Sequence, residues 1–194
     1  RENDQMITSL NYRTKLDIIR RTDLPLLNKW RNSPEINKWT RQNTLINMES
    51  HEAWFNKMTM DQTMRMFLIR AESNEAIGVC GLTSIDLINQ HAEFSLYIGP
   101  EHHGHGYGKD SLRLLCTHGF NAFPLRTIWG ETFEGNKAAL MFESLGFKRD
   151  GVRRDFYYRD GKFIDSIMYS IKSDELIMPE KNIPADISFQ EFRQ

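Results

Sequence analysis

The sequence predicts one α/β domain built on a mixed sheet with helices on both faces. The first observation is the order of segments, in which strand-like runs alternate with helical spacing as β-α-α-β-β-β-α-β-α-β-β. The second is the polar turns between strand-like runs, such as Glu72-Ser73-Asn74-Glu75 and Asp160-Gly161-Lys162. The third is that 194 residues with 40% hydrophobic content suffice for one substantial core.

The N-terminal half is predicted to hold one strand, two helices and three further strands. Tyr12 to Arg20 alternates enough for an edge strand, and Thr22-Asp23 then starts a helix that tolerates Pro25 in its first turn. Asn32-Ser33-Pro34 ends that helix. The predicted segments are helices Leu24 to Arg31 and Met48 to Met58, a turn within Glu35 to Thr40, and strands Arg65 to Ala71, Ala76 to Asp86 and Ala92 to Ile98.

The C-terminal half is predicted to alternate helices with strands and to close on a hairpin. Its segments are helices 109–123 and 136–145, strand 127–133, and the hairpin strands Phe156 to Arg159 and Phe163 to Lys172. We assign residues 12–172 to the domain, 1–11 to an N-terminal extension and 173–194 to a polar C-terminal tail. The sequence leaves open whether this tail is docked or mobile.

Composition argues against several classes of partner. Lys plus Arg number 25 and Asp plus Glu number 26, so no charge excess favours nucleic acid or a membrane surface. No apolar run approaches the roughly 18 residues of a membrane span, and no signal-peptide pattern opens the chain. We therefore expect a cytoplasmic protein in which Cys80 and Cys116 are reduced, buried thiols.

The segment from His102 to Asp110 is the most informative part of the chain. Gly104, Gly106 and Gly108 alternate between the strand-like run Phe94 to Ile98 and a helical pattern. A strand that passes through such glycines into a helix directs several backbone N–H groups at one spot, and the helix dipole favours an anion there. The pattern predicts a diphosphate ligand.

Two familiar nucleotide loops do not fit this spacing. A P-loop needs Ser or Thr after Gly-Lys, but Asp110 follows Gly108-Lys109 and supplies no hydroxyl for magnesium. A dinucleotide fingerprint needs Gly-x-Gly-x-x-Gly near the start of a βαβ repeat, whereas these glycines have a different last interval and lie in mid-chain.

The glycine segment resembles the Gln/Arg-x-x-Gly-x-Gly/Ala signature of the GNAT acetyltransferases, with His103 at its first position. A second segment, Gly135 to Phe147, is similar to the family's Asn-x-x-Ala-x-x-Leu-Tyr-x-x-x-Gly-Phe helix. The two stand in the expected order over residues 12–171. The resemblance implies the GNAT fold, with a mostly antiparallel sheet that is splayed at an acetyl-CoA site, and an N-acetyltransferase that acts by direct attack of an amine.

Donor-site residues follow from this resemblance. The strand before the glycine loop would pair with the pantetheine arm, and the Ile98 N–H is a candidate donor to the thioester oxygen. Asn136 would contact the cofactor, act as a helix N-cap, or do both. The cofactor-binding residues implied for acetyl-CoA are Leu96, Tyr97, Ile98, His103, Gly104, His105, Gly106, Tyr107, Gly108, Lys109, Asn136 and Phe142.

Glu93 is the candidate general base, because it shares a strand face with Ser95 and Tyr97 that can open to the acceptor cleft. The alternative is an acid that only orients substrate or pairs with a base. Phe142 departs from the family, since many members have a Tyr there that protonates the CoA thiolate. Either the thiolate leaves unaided, or water or another hydroxyl serves; Tyr157 and Tyr158 are candidates for this, or else aromatic packing residues.

We expect no metal site, although four histidines lie close together in sequence (His91, His102, His103 and His105). The group lacks His-Glu-x-x-His spacing and a neighbouring Cys pair. His103 and His105 are better described as phosphate-facing or exposed hydrogen-bond donors than as metal ligands.

The resemblance implies an acceptor that is a primary amine on a small molecule or peptide. The element Trp30-Arg31-Asn32 resembles most closely the nucleotide-amino-sugar enzymes within a branch that also holds ribosomal-protein and spermidine acetyltransferases. We assign Trp30, Arg31, Asn32 and Tyr157 to substrate binding. Phosphates of a sugar nucleotide could meet Arg31, Arg41, Arg153 and Arg154, whereas a polyamine could meet Glu35, Glu49, Glu52 and Asp155.

Two other classes stay open at this level. The protein could bind acyl-CoA without catalysis, which Phe142 would favour, or it could be an interaction module whose tail docks on a partner. GNAT proteins often form homodimers, but the sequence defines no interface.

Overall fold

The structure, a computed structural model, describes residues 12–178, where a seven-stranded sheet has the order β1-β2-β3-β4-β5-β7-β6. The strands are β1 Thr14–Ile18, β2 Arg65–Ala71, β3 Ala76–Asp86, β4 His91–Ile98, β5 Thr127–Phe133, β6 Lys148–Arg159 and β7 Lys162–Lys172. The helices are α1 Leu24–Asn32, α2 Pro34–Asn37, α3 Met48–Met60, α4 Tyr107–Ala122 and α5 Ala138–Ser144. Neighbouring strands are antiparallel except the parallel pair β4 and β5. The predicted mixed, mostly antiparallel sheet is thus confirmed.

One predicted boundary is wrong by eight residues. The sequence pattern starts the penultimate strand at Phe156, but β6 begins at Lys148. Two register shifts against β7, between Arg149 and Gly151 and between Arg153 and Tyr157, break the strand's alternation. Asp155, in the second shift, has a positive φ of 51°. Because alternation is what a strand shows in sequence, these irregularities hide its first half.

Alternation along β4 divides the core between the two faces of the sheet. Ala92, Phe94 and Leu96 belong to the cluster that packs under α4 and α5. Tyr97 packs instead into the cluster formed with α1 and α3. Glu93 has the same parity as Tyr97, so its side chain lies on the face of α1 and α3. Helices cover both faces, as predicted.

The described part of the C-terminal tail is docked on the domain. Ile177 donates its N–H to the Leu145 carbonyl at 3.0 Å and accepts from Arg113 Nε at 2.9 Å. Residues 1–11 and 179–194, which hold the rest of the predicted extension and tail, lie outside the described residues. Cys80 and Cys116 are buried free thiols, as expected, and burial raises the pKa of both. No helix within residues 12–178 has the length and apolar character to span a bilayer.

The strands β4 and β5 separate immediately after Glu93. Their parallel pairing covers only His91–Thr127, Ala92–Ile128 and Glu93–Trp129. The ring of Phe94, the next residue of β4, lies against Gly130, where an added Cβ would meet ring carbon Cε1 at 2.4 Å. Phe94 also makes edge contacts with the rings of Phe142 and Phe147, with centroids 5.1 and 5.3 Å apart. The predicted splay is therefore present, and an aromatic cluster fills it from one face.

We predict that Gly130→Ala destabilises the protein by about 1–3 kcal/mol, the usual cost of overpacking a core, because Phe94 is held by two other rings. The measurement is urea unfolding. Gly151→Ala is the matched control, since a Cβ at that strand glycine meets no atom within 4 Å. Equal unfolding free energies for the two variants would contradict the packing argument.

Candidate active site

The glycine loop connects the end of β4 to the first turn of α4. Gly104 and Gly106 have φ values of 82° and 80°, a region in which L side chains are strained, and α4 begins at Tyr107. A Cβ on Gly104 would meet no heavy atom within 4 Å, so the outer side of the loop is open. Gly108 has a different role, because a Cβ there would lie 3.3 Å from Met141 Sδ of α5. The loop therefore combines an open backbone surface with close packing behind it.

The loop histidines point back to the loop backbone. Nε2 of His103 donates to the Ile98 carbonyl at 2.7 Å, and Nδ1 of His105 donates to the His102 carbonyl at 3.3 Å. The His105 ring also stacks on Tyr107, with centroids 5.7 Å apart. These contacts fix the turn between β4 and α4. Within residues 12–178, no group of three metal-ligating side chains is brought together.

The C-terminal end of β4 has a backbone edge that does not pair with β5. Gly99 donates its N–H to the Ile77 carbonyl at 2.8 Å, and Ile98 lies opposite Gly78. In an antiparallel ladder this makes Ile98–Gly78 a non-hydrogen-bonded pair, so the N–H and C=O of Ile98 point away from β3. The N–H faces the gap that β5 has left, and the C=O accepts from Nε2 of His103. Leu96, two residues earlier, has the same orientation.

The second predicted hallmark forms α5 and the turn before it. Asn136 Oδ1 accepts from the Ala138 N–H at 3.0 Å, which is the capping role considered from sequence. Its Nδ2 makes no hydrogen bond to another residue of the described chain. Phe142 is 5% exposed and packs on Phe94, Phe147 and Tyr169. Its ring is thus part of the aromatic cluster at the separated strands.

Glu93 is the last residue of β4 that pairs with β5, and only 8% of its surface is exposed. Its Oε1 is bonded to Nη2 of Arg41, which the loop before α3 brings to the sheet. Nε of the same guanidinium bonds Oε1 of Glu131 on β5. One cation therefore bridges two carboxylates from neighbouring strands.

Glu131 is the centre of the polar network at this site. Its Oε1 accepts from the Tyr157 hydroxyl at 2.6 Å, and its Oε2 bonds both Arg153 and Ser166. Burial alone would raise the pKa of this carboxyl, but the hydrogen bonds from Ser166 and Tyr157 and the two guanidinium charges lower it below its usual value. The pKa of Tyr157 is raised, first by burial and then by its bond to Glu131.

The Trp30-Arg31-Asn32 element lies on α1, which covers the same face of the sheet as Glu93. Trp30 is 1% exposed and donates from Nε1 to Glu101 Oε1 at 2.9 Å, so its ring is a core residue rather than a cleft wall. Arg31 stacks on the Tyr97 ring at 5.9 Å, where burial lowers the pKa of its guanidinium. Asn32 bonds the N–H and C=O of Ile46, both at 2.8 Å. That pair fixes one end of the loop that carries Arg41.

A family model described as an acetyltransferase (GNAT) domain matches residues 13–148. The chain belongs to the GNAT acetyltransferase family. It is an N-acetyltransferase of that family, as the two sequence hallmarks predicted.

The chain is similar to several named acetyltransferases. Spermidine N(1)-acetyltransferase of Vibrio cholerae is 25% identical over 169 residues, 86% of this chain and 98% of that protein. Acetyltransferase PseH of Campylobacter jejuni is 26% identical over 137 residues, 70% of this chain and 83% of that protein. A crystal structure of the Vibrio cholerae spermidine enzyme in complex with CoA and spermine has a TM-score of 0.80 at 24% identity, covering 84% of this chain and 97% of that one. At that identity the structural likeness shows the fold.

Sequence reasoning about this GNAT site missed Glu131 and placed Arg41 only among candidate phosphate ligands. Glu131 stands in a strand whose other residues read as ordinary sheet, and its side chain is 4% exposed. The sequence did contain a signal for Glu131, because a lone acidic residue in a half-buried strand requires hydrogen-bonding or charged partners. Those partners come from residues 41, 153, 157 and 166, which no local pattern connects. The candidate polyamine ligands Glu35, Glu49 and Glu52 lie exposed on α2 and α3.

We predict that Glu131→Gln makes folding less sensitive to acid. Because the folded-state pKa of Glu131 is depressed, its ionised form stabilises the protein above the unfolded value of about 4.3, and this stability is lost as pH falls through the folded pKa. At pH 7 the free energy of unfolding of the variant should be about 1–3 kcal/mol lower than that of wild type, because Arg41 and Arg153 lose a partner. When the pH is lowered, the variant should lose less stability than wild type loses.

The measurement is urea unfolding at pH 7 and pH 3.5. Glu134→Gln is the control, because Glu134 is an exposed carboxylate close by on the same segment. A Glu131 variant whose pH dependence equals that of wild type would refute the assignment.

Proposed function

We propose that this N-acetyltransferase transfers the acetyl group of acetyl-CoA to the primary amine of a nucleotide-linked amino sugar by direct attack. The observation that carries the proposal is the position of Glu93, a buried carboxylate at the point where β4 and β5 separate, beside a cluster of guanidinium groups. The donor follows from the family. The acceptor class follows from the charge around Glu93.

The glycine loop fits the phosphates of acetyl-CoA. Gly104 and Gly106 hold positive φ angles that leave the loop backbone free of side chains on its open side. The first turn of α4 adds unpaired N–H groups and the positive end of the helix dipole. Asn136 supplies a side-chain Nδ2 donor from the next helix. Acetyl-CoA, when bound, provides the activated acetyl thioester.

The edge of β4 supports the reacting end of the donor. The Ile98 N–H points into the gap between β4 and β5, where it can donate to the thioester oxygen as negative charge develops there. A donor fixed before the reaction typically contributes about 3 kcal/mol to such a step. Because the strand positions this N–H, no side chain is needed for that role.

Glu93 is the group that accepts the proton of the attacking amine, directly or through one water. Its carboxylate is paired with Arg41. Phe142 cannot protonate the departing thiolate, but a thiol pKa of roughly 8.5 makes unaided departure tolerable. Tyr157 is a poor substitute, because its hydroxyl proton is engaged by Glu131 and its pKa is raised.

The charges around Glu93 favour an acceptor with an anionic group. Glu93 and Glu131 bind Arg41 and Arg153, both at least a third exposed on their side chains. Arg159 adds a further guanidinium, which bonds the backbone carbonyls of Thr40 and Arg41 and stacks on the Tyr157 ring at 5.4 Å. Three guanidinium groups therefore lie beside the two buried carboxylates, and the groove that Arg159 lines also holds Glu134, Asp160 and Lys162. A diphosphate carried by an amino sugar complements this surface, because guanidinium groups bind phosphate in bidentate fashion.

A polyamine acceptor is the second candidate. It is favoured by the named spermidine acetyltransferases, which match 86% of this chain. The arginines oppose it, since a polycation would have to displace Arg41 from both carboxylates. A non-catalytic acyl-CoA-binding protein would retain the donor site but show no turnover.

The experiment is a thiol-release assay with acetyl-CoA against UDP-linked amino sugars, spermidine, an aminoglycoside and a ribosomal-protein N-terminal peptide. We expect the UDP-linked amino sugars to be acetylated and the other three acceptors to react far more slowly. Preference for spermidine would replace the proposed acceptor with a polyamine. Acetyl-CoA binding without any turnover would favour the non-catalytic protein.

We predict that Glu93→Gln lowers kcat about 10²- to 10⁴-fold with the accepted amine, the usual contribution of a general base, and leaves acetyl-CoA affinity unchanged. Steady-state kinetics across pH 6–10 measure this, and part of the rate should return at high pH as free amine accumulates. Glu134→Gln, the exposed control, should behave as wild type. Loss of acetyl-CoA binding in Glu93→Gln would instead indicate a structural role.

We predict that Gly106→Ala weakens acetyl-CoA binding roughly tenfold, because a methyl group would stand on the surface the phosphates approach. Gly161→Ala is the matched control: its φ of 78° is close to the 80° of Gly106, and it lies in the hairpin turn between β6 and β7. Both variants place a Cβ on a residue with nearly the same positive φ. Calorimetric titration with acetyl-CoA should separate them, and an equal loss in both would trace the effect to strain alone.

A further inference from the structure

Arg13, immediately before β1, lies against the glycine loop although 92 positions separate it from His105 in sequence. Its Nη1 donates to the His105 carbonyl at 3.1 Å, and its guanidinium carbon is 5.3 Å from the centre of the Tyr107 ring. A Cβ placed on Gly106 would be 3.9 Å from the same Nη1. The guanidinium thus adjoins the loop at the glycine that begins α4.

The charge of Arg13 is not neutralised by a carboxylate of the described chain. The nearest acid, Asp110, accepts from the backbone N–H of Arg13 at 2.6 Å rather than from its side chain. The other oxygen of Asp110 faces Nη1 of Arg113 at 3.6 Å. One loop carbonyl uses one of the five guanidinium N–H groups, and the residue is exposed. The remaining donors are therefore available to an anion on the loop.

We propose that Arg13 binds the diphosphate of the acetyl donor. The inference rests on the proposed function, since it needs acetyl-CoA on the glycine loop. The loop supplies backbone N–H groups. Arg13 adds a positive charge and a planar set of N–H donors, neither of which the backbone provides. Its stacking on Tyr107 and its bond to His105 hold the fork beside the loop before the donor arrives, which reduces the entropy lost on binding.

The test is calorimetric titration of the full chain with CoA and with dephospho-CoA, which keeps the diphosphate and lacks the 3′-phosphate. Arg13→Gln should weaken binding of both by roughly the same factor, about 10- to 100-fold for a charge-assisted contact. Arg13→Lys should recover part of this loss. Arg126→Gln is the matched control, because Arg126 is exposed beyond the other end of α4, about 24 Å of helix away.

Each outcome decides the assignment. An equal loss for both compounds, partly rescued by lysine, supports it. A loss for CoA alone would assign Arg13 to the 3′-phosphate, and unchanged affinity would leave it no role in binding; either overturns the proposal. A loss that lysine does not rescue, with a lowered Tm, would reduce Arg13 to a structural support of the loop. If the wild-type chain binds neither compound, the proposed function fails, and this assignment fails with it.

Discussion

The active site depends on one interruption of hydrogen bonding, the separation of β4 from β5 after Glu93. Three paired residues bring the strands together, and the ring of the next residue, Phe94, packs against Gly130 on one face of the sheet. The unpaired backbone beyond this point would be costly in a buried sheet. In the proposed function it becomes useful, because the Ile98 N–H faces a gap that an extended ligand can fill as a substitute strand.

The separation also determines where the polar chemistry lies. Glu93 and Glu131 come from strands that are still adjacent at this point, so one guanidinium reaches both. On the opposite face of the sheet the same gap is filled by the rings of Phe94, Phe142 and Phe147. Phe142, which departs from the family's tyrosine, is thus a packing residue in this chain. Alternation of side chains along one strand produces both environments.

Sequence predicted those features that local patterns encode. The alternation of Glu93, Ser95 and Tyr97, the glycines that enter α4 and the helix from Asn136 to Leu145 are visible within a few residues, and the structure places their elements as expected. The first half of β6 was missed because bulges break its period, and Trp30 was assigned to substrate although its ring is buried. Arg13 and Glu131 were missed for a different reason. Each is defined by partners far away in sequence, and only the fold brings those partners together.

The two halves of the site are built from different kinds of structure, and this bears on specificity. The donor half consists of sheet backbone and a helix N-terminus, which depend little on side-chain identity. In the proposed function the acceptor half consists of Arg41, Arg153 and Arg159, and Arg41 is delivered by a loop that Asn32 fixes at Ile46 and Arg159 fixes at Thr40. Exchange of these arginines would change the charge of the cleft, but it would also leave the buried carboxylate of Glu131 without its partners. A shared fold with spermidine acetyltransferases does not by itself decide the acceptor, which we propose from the side chains at the site.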